Sequence, residues 1–351
     1  MTKTAAEADA AVLTSVAGGL ARIELNKPRA INALSHDMVE IVAEALATWR
    51  EDDAVAAVVV TGSGERGLCA GGDIKAIHRA LVEGTDGAAR FWADEYRMNS
   101  AIARYPKPYI ALMDGIVMGG GVGISAYASH RIVTETSQVG MPETGIGLFP
   151  DVGGTWLLAR VPHRAGMHMA LTGEPVGPAD AIRYGLADTF VPRERLPELL
   201  DALAAEPGDV DAVLARFAAE PPASGLEADE EWIAEAYAHD TAAEVVEALA
   251  AHPSPRAQET AATIRTKSPL SVAVTFEMVR TAGEMTLDEV LERDFAAGVE
   301  IAKHPDLREG IRAQVIDKDR NPQWRPASLA ELDPSVVAAV VGAVQDRKVF
   351  S

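Results

Sequence analysis

Two carboxylic acids in a glycine-rich, apolar segment are the residues of this sequence best suited to catalysis. Glu143 and Asp151 stand eight positions apart in MPETGIGLFPDVGG (141–154), which otherwise holds almost only Gly, Pro and apolar residues. A carboxyl group in such surroundings tends to have a raised pKa, which suits acid/base chemistry near neutral pH. The alternative is a pair of turn or capping acids, with Asp151 as a helix N-cap. From the residues alone the two interpretations weigh equally.

Two glycine clusters could receive a negatively charged oxygen. CAGGD (69–73) and GIVMGGG (115–121) each follow a predicted strand and precede a predicted helix. Glycine allows a ligand to approach the backbone closely and leaves N–H donors free at a helix N-terminus. Two such donors from separate loops can form an oxyanion hole for a thioester carbonyl. The alternative for either cluster alone is a tight turn.

Further sequence features argue against a dinucleotide site, a disulfide, a metal site and a serine nucleophile. GSGERG (62–67) matches the dinucleotide pattern, but further glycines follow and no helix can begin before about Asp73. Cys69 is the one cysteine, which excludes an internal disulfide and a multi-cysteine metal cage. We interpret it as a packing residue rather than a nucleophile, since no His lies nearby in sequence. The eight His residues show no paired ligand spacing, so no metal is expected, and no G-x-S-x-G elbow occurs.

The elements that position these motifs alternate between strand and helix up to about residue 190. Strands are predicted at 12–16, 20–26, 55–61, 109–114 and 131–136. The first two flank Gly18-Gly19 and predict a hairpin, and apolar residues at helical spacing after Ser35 predict a helix with Ser35 as its cap. This alternation is typical of an α/β domain.

The chain changes character after Pro192. Residues 194–251 are rich in Ala, Glu and Asp and predict short, solvated outer helices with their acids outward, and residues 253–313 are predicted to be helical throughout. We therefore expect a core with the thioester site over residues 1–192 and a helical C-terminal region over 193–351.

Composition limits the partners. The 351 residues are 48% hydrophobic and carry a formal net charge of −20. A surface this negative repels phosphate backbones and anionic lipids, so neither nucleic acid nor a membrane is expected as a partner. No apolar run is long enough to span a bilayer. MTKTAAEADAAVLTSVAGG at the N-terminus resembles neither a signal nor a transit peptide, and we expect a cytoplasmic protein.

Taken together and in order, CAGGD, GIVMGGGVGIS and MPETGIGLFPDVGGTWLL resemble the signature of the crotonase (enoyl-CoA hydratase/isomerase) superfamily. NKPRAINAL (26–34) is similar to its N-terminal motif. The similarity to the 3-hydroxyisobutyryl-CoA hydrolase branch covers nearly the whole chain except residues 194–251. It includes FWADEYRMN (91–99), KPYIALMDG (107–115) and the distinctive REGIRAQVIDKDRNPQWRP (308–326). The resemblance implies an α/β spiral of β-β-α turns, with a helical C-terminal region that completes the acyl pocket and could contact another subunit of a homo-oligomer.

The resemblance also implies roles for individual residues. The backbone N–H groups of Ala70 and Gly120 would form the oxyanion hole, Glu143 and Asp151 would be the catalytic pair, and Glu95 would contact the substrate. The further substrate-binding positions are Gly71, Gly72, Asp73 and Gly119. No cofactor is implied, since CoA is part of the substrate.

Two departures from the hydratases favour hydrolysis over hydration. Gly123 stands where hydratases carry a second glutamate, and Asp151 stands where they commonly carry glycine. The expected reaction is hydrolysis of a 3-hydroxyacyl-CoA thioester, with 3-hydroxyisobutyryl-CoA from valine breakdown as the expected substrate. The alternatives are an enoyl-CoA hydratase or isomerase and a catalytically silent acyl-CoA-binding protein. The sequence leaves open whether Glu143 acts as a general base or forms a mixed anhydride.

Overall fold

A computed structural model describes residues 10–350, which form two compact units. The first unit comprises residues 10–72, 97–139 and 176–225, and the second comprises 73–96, 140–175 and 226–350. The expectation that the chain lacks a leader peptide depends in part on residues 1–9, which lie outside this range. Each compact unit combines three separate segments of the chain. The predicted domain boundary at residue 192 stays a prediction.

The first unit is built on a six-stranded sheet. Its strands are β1 (Val12–Ala17), β2 (Leu20–Leu25), β3 (Ala57–Gly62), β4 (Tyr109–Met113), β6 (His130–Val133) and β8 (Thr189–Phe190), while β5 (Ile116–Met118) pairs with β7 (Gln138–Gly140). The strand order in the large sheet is β1-β2-β3-β4-β6-β8. β1 and β2 form the predicted antiparallel hairpin, and the other neighbours in the large sheet are parallel. Every residue of β4 is buried, as expected for a parallel strand covered on both faces.

Local side-chain chemistry explains two differences from the predicted elements. β6 ends at Val133, before the predicted residue 136, because the Thr134 N–H donates to the Ser137 hydroxyl at 2.8 Å and not to a neighbouring strand. Ser35 lies at the N-cap of the first helix as predicted, but its hydroxyl donates to Asp37 and accepts no hydrogen bond from the helix backbone.

Sixteen α-helices occur within the described part of the chain. In chain order they are α1 (His36–Arg50), α2 (Ile74–Glu83), α3 (Gly87–Ala103), α4 (Gly120–Ser125), α5 (Gly154–Leu158), α6 (Ala165–Thr172), α7 (Pro178–Arg183), α8 (Leu196–Ala205), α9 (Val210–Phe217), α10 (Glu230–Ala236), α11 (Ala242–Ala251), α12 (Pro255–Arg265), α13 (Pro269–Thr281), α14 (Leu287–Ile301), α15 (Pro305–Ile311) and α16 (Pro334–Val341). The predicted α/β class with a helical C-terminal region is confirmed. None of the helices within residues 10–350 is both long and apolar enough to cross a membrane.

Residues 194–251 are helical as predicted, but they are more than a solvated outer layer. Leu199 and Leu203 of α8 are fully buried in a cluster with Val59 of the central sheet, inside the first unit. α10 and α11 bury their apolar faces in a separate cluster of the second unit. Asp229 is also buried, where its carboxylate accepts the Trp232 indole N–H at 2.7 Å and pairs with an Arg guanidinium. Despite its acidic composition, this region thus contributes helix faces to two hydrophobic cores.

Ion pairs and hydrogen bonds within the second unit stabilise the C-terminal motif 308–326. Arg312 forms ion pairs with three carboxylates, those of Glu309, Asp317 and Asp319, at 2.7–2.8 Å. Further along, the Trp324 indole N–H donates to the Thr266 carbonyl at 2.9 Å. Ion pairs and side-chain hydrogen bonds thus hold this motif in place together with its fully buried Ile311 and Ala313.

The packing of α8 yields a prediction about stability. Leu203→Ala should lower the free energy of unfolding by about 2–5 kcal/mol, because it removes fully buried methyl groups and leaves a cavity beneath the sheet. Urea unfolding followed by circular dichroism measures the change. Asp201→Ala, at an exposed position of the same helix, is the control and should change stability by under about 0.5 kcal/mol. Equal effects of the two substitutions would contradict a core role for α8.

Candidate active site

Glu143 begins a single turn of 3-10 helix, Glu143–Ile146, and its side chain is buried. The turn closes where the Gly147 N–H donates to the Glu143 carbonyl, with Gly147 at a φ of 83°. A Cβ at Gly147 would lie 2.4 Å from the Asp306 carbonyl, so only glycine fits there. The glycines of this segment thus let the chain turn tightly and bring a carboxyl group into the interior.

Asp151 lies in the loop before α5, and its side chain is also buried. The N-cap of α5 is Gly153, and no side chain caps that helix, so the capping interpretation of Asp151 is wrong. Its carboxylate instead accepts the Tyr96 hydroxyl at 2.7 Å. The neighbouring Val152 has a φ of 50°, a strained value for a β-branched residue. Strain of this kind persists only where surrounding contacts hold the loop in place.

Glu95 and Tyr96 are consecutive residues of α3, and both are buried. Glu95 Oε1 and Glu143 Oε2 are buried oxygens without a hydrogen-bond partner among the described residues. Buried polar atoms in native proteins are nearly always paired, so unpaired ones mark a place where a ligand or water completes the structure. The predicted residues Glu95, Glu143 and Asp151 thus come together in the second unit.

Burial raises the pKa of all three acids, and the charge of Asp151 adds to the effect on the two glutamates. Burial raises the pKa of Glu143 well above its usual range, and the Asp151 carboxylate and Glu95 raise it further. Burial likewise raises the pKa of Glu95 well above its usual range, again with a contribution from Asp151. For Asp151, burial raises the pKa to about 6, while the Tyr96 hydroxyl and its own backbone N–H counteract the rise. Groups shifted in this way can exchange protons near neutral pH.

Asp294, on α14, is a further buried acid beside the Asp151 loop. Its Oδ2 accepts the Gly153 N–H at 2.9 Å, which ties the strained loop to α14. Burial raises the pKa of Asp294 to about 8, against the opposing effect of the neighbouring Arg293. The side chain is therefore mostly protonated at neutral pH.

The two glycine clusters meet each other within the first unit, in backbone-to-backbone contact. The Cys69 N–H donates to the Ile116 carbonyl and the Met118 N–H donates to the Cys69 carbonyl, at 3.1 and 3.0 Å. A Cβ at Gly121 would lie 2.3 Å from the Cys69 carbonyl oxygen. Glycine at this position is thus required by close approach of the two loops.

The two predicted oxyanion donors, Gly120 and Ala70, differ in the hydrogen bonding of their backbone N–H groups. Gly120 is the first residue of α4, where a helix has no internal partner for its N–H groups, and Gly119 precedes it at a φ of 53°. The Ala70 N–H, however, donates to the Ile31 carbonyl at 2.9 Å. A thioester oxygen would compete with that carbonyl for the Ala70 donor. The oxyanion roles of both residues stay predictions.

The remaining predicted positions have visible local roles. Gly71 has a φ of 111°, which explains the glycine there, and Asp73 caps α2 by accepting the Ala76 N–H at 3.1 Å. Cys69 is fully buried, as expected of a packing residue. The GSGERG motif leads from β3 into a loop, and the next helix does not begin until Ile74. Within residues 10–350, no three His, Cys, Asp or Glu side chains are grouped so as to hold a metal ion.

The sequence analysis missed Tyr96 and Asp294. Tyr96 follows Glu95 directly in the FWADEYRMN motif, so its place in the motif was a usable signal. Asp294 carried a different signal, since it falls at helical spacing on the apolar face formed by Val290 and Leu291. A charged residue on an apolar helix face is the informative exception in a sequence.

Comparisons with known proteins agree with this geometry. Residues 20–341 match the family model described as Enoyl-CoA hydratase/isomerase. The chain is 36% identical to the mitochondrial 3-hydroxyisobutyryl-CoA hydrolase of Danio rerio, over 97% of this chain and 92% of that protein. It is 38% identical to the enzyme of the same name from Mus musculus, over 88% of this chain and 83% of that protein.

Solved structures show the same fold. The structure described as a carnitinyl-CoA dehydratase from Mycobacterium thermoresistibile is similar with a TM-score of 0.94 and 49% identity, over 97% of this chain and 99% of that one. An enoyl-CoA hydratase from Rhodobacter sphaeroides 2.4.1 gives a TM-score of 0.91 and 40% identity, over 97% of this chain and 100% of that one. The predicted crotonase-like fold is confirmed.

Asp294 yields a prediction about pH and stability. Its folded pKa of about 8 exceeds the ordinary value of 3.8, so the unfolded chain gives up this proton first as pH rises. The stability that the protonated form provides is complete below about pH 4 and is lost as pH rises to about 8. Asp294→Asn keeps an oxygen for the Gly153 N–H and cannot ionise. It should therefore gain a few kcal/mol on wild type between pH 5 and 8, at about 1.4 kcal/mol per pKa unit.

Urea unfolding at several pH values between 5 and 8 measures this gain. Asp201→Asn, at an exposed site, is the control and should follow wild type at every pH. A constant difference between Asp294→Asn and wild type would show that the Asp294 carboxyl does not titrate in this interval.

Proposed function

We propose that this chain, which belongs to the enoyl-CoA hydratase/isomerase family, hydrolyses the thioester bond of a 3-hydroxyacyl-CoA. Water adds to the thioester carbonyl, the carbon–sulfur bond breaks, and the products are free CoA and a 3-hydroxy acid. The observation that carries the proposal is the buried acid pair Glu143 and Asp151, in which the Asp151 carboxylate adds to the rise in the pKa of Glu143 caused by burial. Such a pair supplies the proton transfers that hydrolysis requires.

The relatives favour a particular acyl group. The proteins from Danio rerio and Mus musculus are named for 3-hydroxyisobutyryl-CoA, and their similarity to this chain extends over most of its length. We therefore propose 3-hydroxyisobutyryl-CoA as the substrate and valine degradation as the setting. The relatives' names place them in mitochondria, whereas for this chain a cytoplasmic location remains our prediction, as does a homo-oligomeric state. No cofactor is proposed beyond the CoA of the substrate.

Glu143 and Asp151 would share the chemistry. Glu143 would either deliver water as a general base or attack the carbonyl to give a mixed anhydride, which water then opens. Asp151 would orient the substrate hydroxyl or the attacking water and modulate the pKa of Glu143. Glu95 would contact the substrate, as would the backbone at Gly71, Gly72 and Gly119 together with Asp73. The donors proposed for the carbonyl oxygen are the N–H groups of Ala70 and Gly120.

Hydration or dehydration of an acyl-CoA is the second candidate function, because two similar solved structures are described as a dehydratase and a hydratase. Gly123 weighs against it. The residue is buried inside α4 and provides no acid where family hydratases are expected to carry a second glutamate. A silent acyl-CoA-binding protein is a third candidate, and the retained acid pair weighs against it.

Thiol release distinguishes these candidates. The purified protein should liberate CoA from 3-hydroxyisobutyryl-CoA, detected with a thiol reagent, because a hydrolase breaks the carbon–sulfur bond. Crotonyl-CoA followed by its enoyl absorbance should be hydrated at least about 100-fold more slowly, since a missing acid/base group is worth about 10²–10⁴-fold. Rapid loss of enoyl absorbance without thiol release would overturn the hydrolase proposal, and no turnover of either substrate would favour the silent protein.

Substitutions test whether the two acids act as one unit. Glu143→Gln nearly preserves shape but removes proton-transfer and nucleophilic capacity, so kcat should fall about 10²–10⁴-fold while acyl-CoA binding survives. Asp151→Asn should also lower kcat and shift the pH–rate profile, because Glu143 loses a neighbour that raises its pKa.

The double variant should be barely slower than Glu143→Gln, because groups that act together lose their effect together. Glu220→Gln, at an exposed position, is the matched control and should retain wild-type kcat. Losses that multiply in the double variant would mean that Glu143 and Asp151 act independently, contrary to the mechanism.

A further inference from the structure

The C-terminal motif has no place in the proposed reaction, yet it begins in α15, which packs directly against the turn that carries Glu143. A Cβ at Gly310 would lie 2.4 Å from the Ile146 carbonyl oxygen, and a Cβ at Gly147 would lie 2.4 Å from the Asp306 carbonyl oxygen. The two backbones therefore touch at two points without a side chain between them. A turn in such contact with a helix backbone has little freedom to move.

Asp306 connects α15 to two other segments. The residue is only 1% exposed, its Oδ2 accepts the Ser268 hydroxyl at 2.6 Å, and its Oδ1 accepts the Arg325 backbone N–H at 2.9 Å. Ser268 is the N-cap of α13, and its own backbone N–H donates to the Thr144 carbonyl, within the Glu143 turn, at 3.2 Å. One buried carboxyl group thus joins α13, α15 and the end of the C-terminal motif around that turn.

The Glu143 carboxyl depends on this support because it has few bonds of its own. Its Oε2 has no hydrogen-bond partner among residues 10–350, and backbone hydrogen bonds from the Gly147 and Leu148 N–H groups to the Glu143 carbonyl close its turn. Hydrogen bonds are directional and apolar contacts are not, so the bonds of Asp306 fix the position of α15 more narrowly than apolar packing would. The backbone of the turn, and the helix against which it packs, then determine where the carboxyl lies.

We propose that Asp306 is a positioning residue that holds α15 against the Glu143 turn and thereby fixes the carboxyl that acts on the thioester. This inference rests on the proposed hydrolase function and gives the C-terminal motif a task in it, through Gly310 and Arg325. A displacement of a reacting group by about 1 Å can lower a rate by about 10²-fold. The motif therefore contributes to kcat without any of its side chains reaching the substrate.

Asp306→Ala tests this role, because it removes both side-chain hydrogen bonds. The kcat for thiol release should fall about 10–100-fold while KM changes by less than about threefold, since a displaced Glu143 weakens the reaction and not substrate binding. Asp180→Ala is the matched control. Asp180 is also buried and accepts one serine hydroxyl, from Ser224, and one backbone N–H, from Gly225, inside the first unit. An unchanged kcat in Asp306→Ala, or an equal loss in Asp180→Ala, would overturn the proposal.

Gly310→Ala tests the backbone contact itself. The added methyl group requires the Ile146 carbonyl to move, although alanine otherwise suits a helix better than glycine. The kcat should therefore fall about tenfold or more with the circular dichroism spectrum unchanged. Gly298→Ala, within α14, is the control and should retain wild-type kcat, because a Cβ there would lie 3.7 Å from its nearest neighbour, the Trp92 ring. Wild-type kcat in Gly310→Ala would contradict the proposed support.

Amide hydrogen exchange of the ligand-free protein measures the turn without turnover. The N–H groups of Gly147 and Leu148 donate to the Glu143 carbonyl and should exchange slowly in wild type. In Asp306→Ala, the proteolytic peptide that spans the turn should exchange at least about tenfold faster, as followed by mass spectrometry. In Asp180→Ala the same peptide should exchange at the wild-type rate. Exchange that is unchanged in Asp306→Ala would overturn its role.

The exchange experiment also separates this inference from the proposed function. Faster exchange in Asp306→Ala, together with a wild-type protein that releases no thiol, would refute the hydrolase function while it supports the positioning role. If Asp306→Ala does not fold, Ser268→Ala decides, because it removes one of the two side-chain bonds of Asp306. Faster exchange of the turn peptide in Ser268→Ala would support the role of Asp306, and a wild-type rate would overturn it.

Discussion

Several carboxyl groups are buried in one part of the second unit, and the hydrogen bonds around them are needed to stabilise them there. Glu95, Glu143, Asp151 and Asp294 are each at most 6% exposed, and a buried charge is tolerated only when hydrogen bonds or a partner stabilise it. Within the described chain, Asp151 accepts the Tyr96 hydroxyl and Asp294 Oδ2 accepts the Gly153 N–H. One buried oxygen each of Glu95, Glu143 and Asp294 has no hydrogen-bond partner among these residues. The hydrogen-bond donors are thus distributed unequally among four chemically similar acids.

Backbone conformation also fixes the loops that carry the predicted site residues. The loop after Asp151 includes Val152 in a left-handed conformation and is tied to α14 by the Gly153 N–H, so strain in the chain is held by a buried hydrogen bond. In the first unit the glycine loops meet without intervening side chains, because the Cys69 carbonyl occupies the space that a Cβ at Gly121 would need. The close approach of these two loops therefore depends on a residue without a side chain.

The sequence was informative where short-range patterns determine structure. The hairpin at Gly18-Gly19 and the apolar run of β3 follow from turn chemistry and burial, and the Glu143 and Asp151 segment stood out because acids are rare among glycines and apolar residues. It was silent where partners are distant in the chain. The contact of Tyr96 with Asp151 spans 55 residues, and that of Gly153 with Asp294 spans 141, separations that no local periodicity reveals.

The interleaving of the two units has a consequence for synthesis on the ribosome. The chain passes between the units five times, and neither unit corresponds to a continuous stretch. A nascent chain that has emerged as far as residue 192 carries every strand of the large sheet, yet it lacks Leu199 and Leu203, which are buried against Val59. The apolar sheet face therefore stays open to chaperones or aggregation until α8 and α9 emerge. A stretch without any catalytic motif thus decides when the first unit can close.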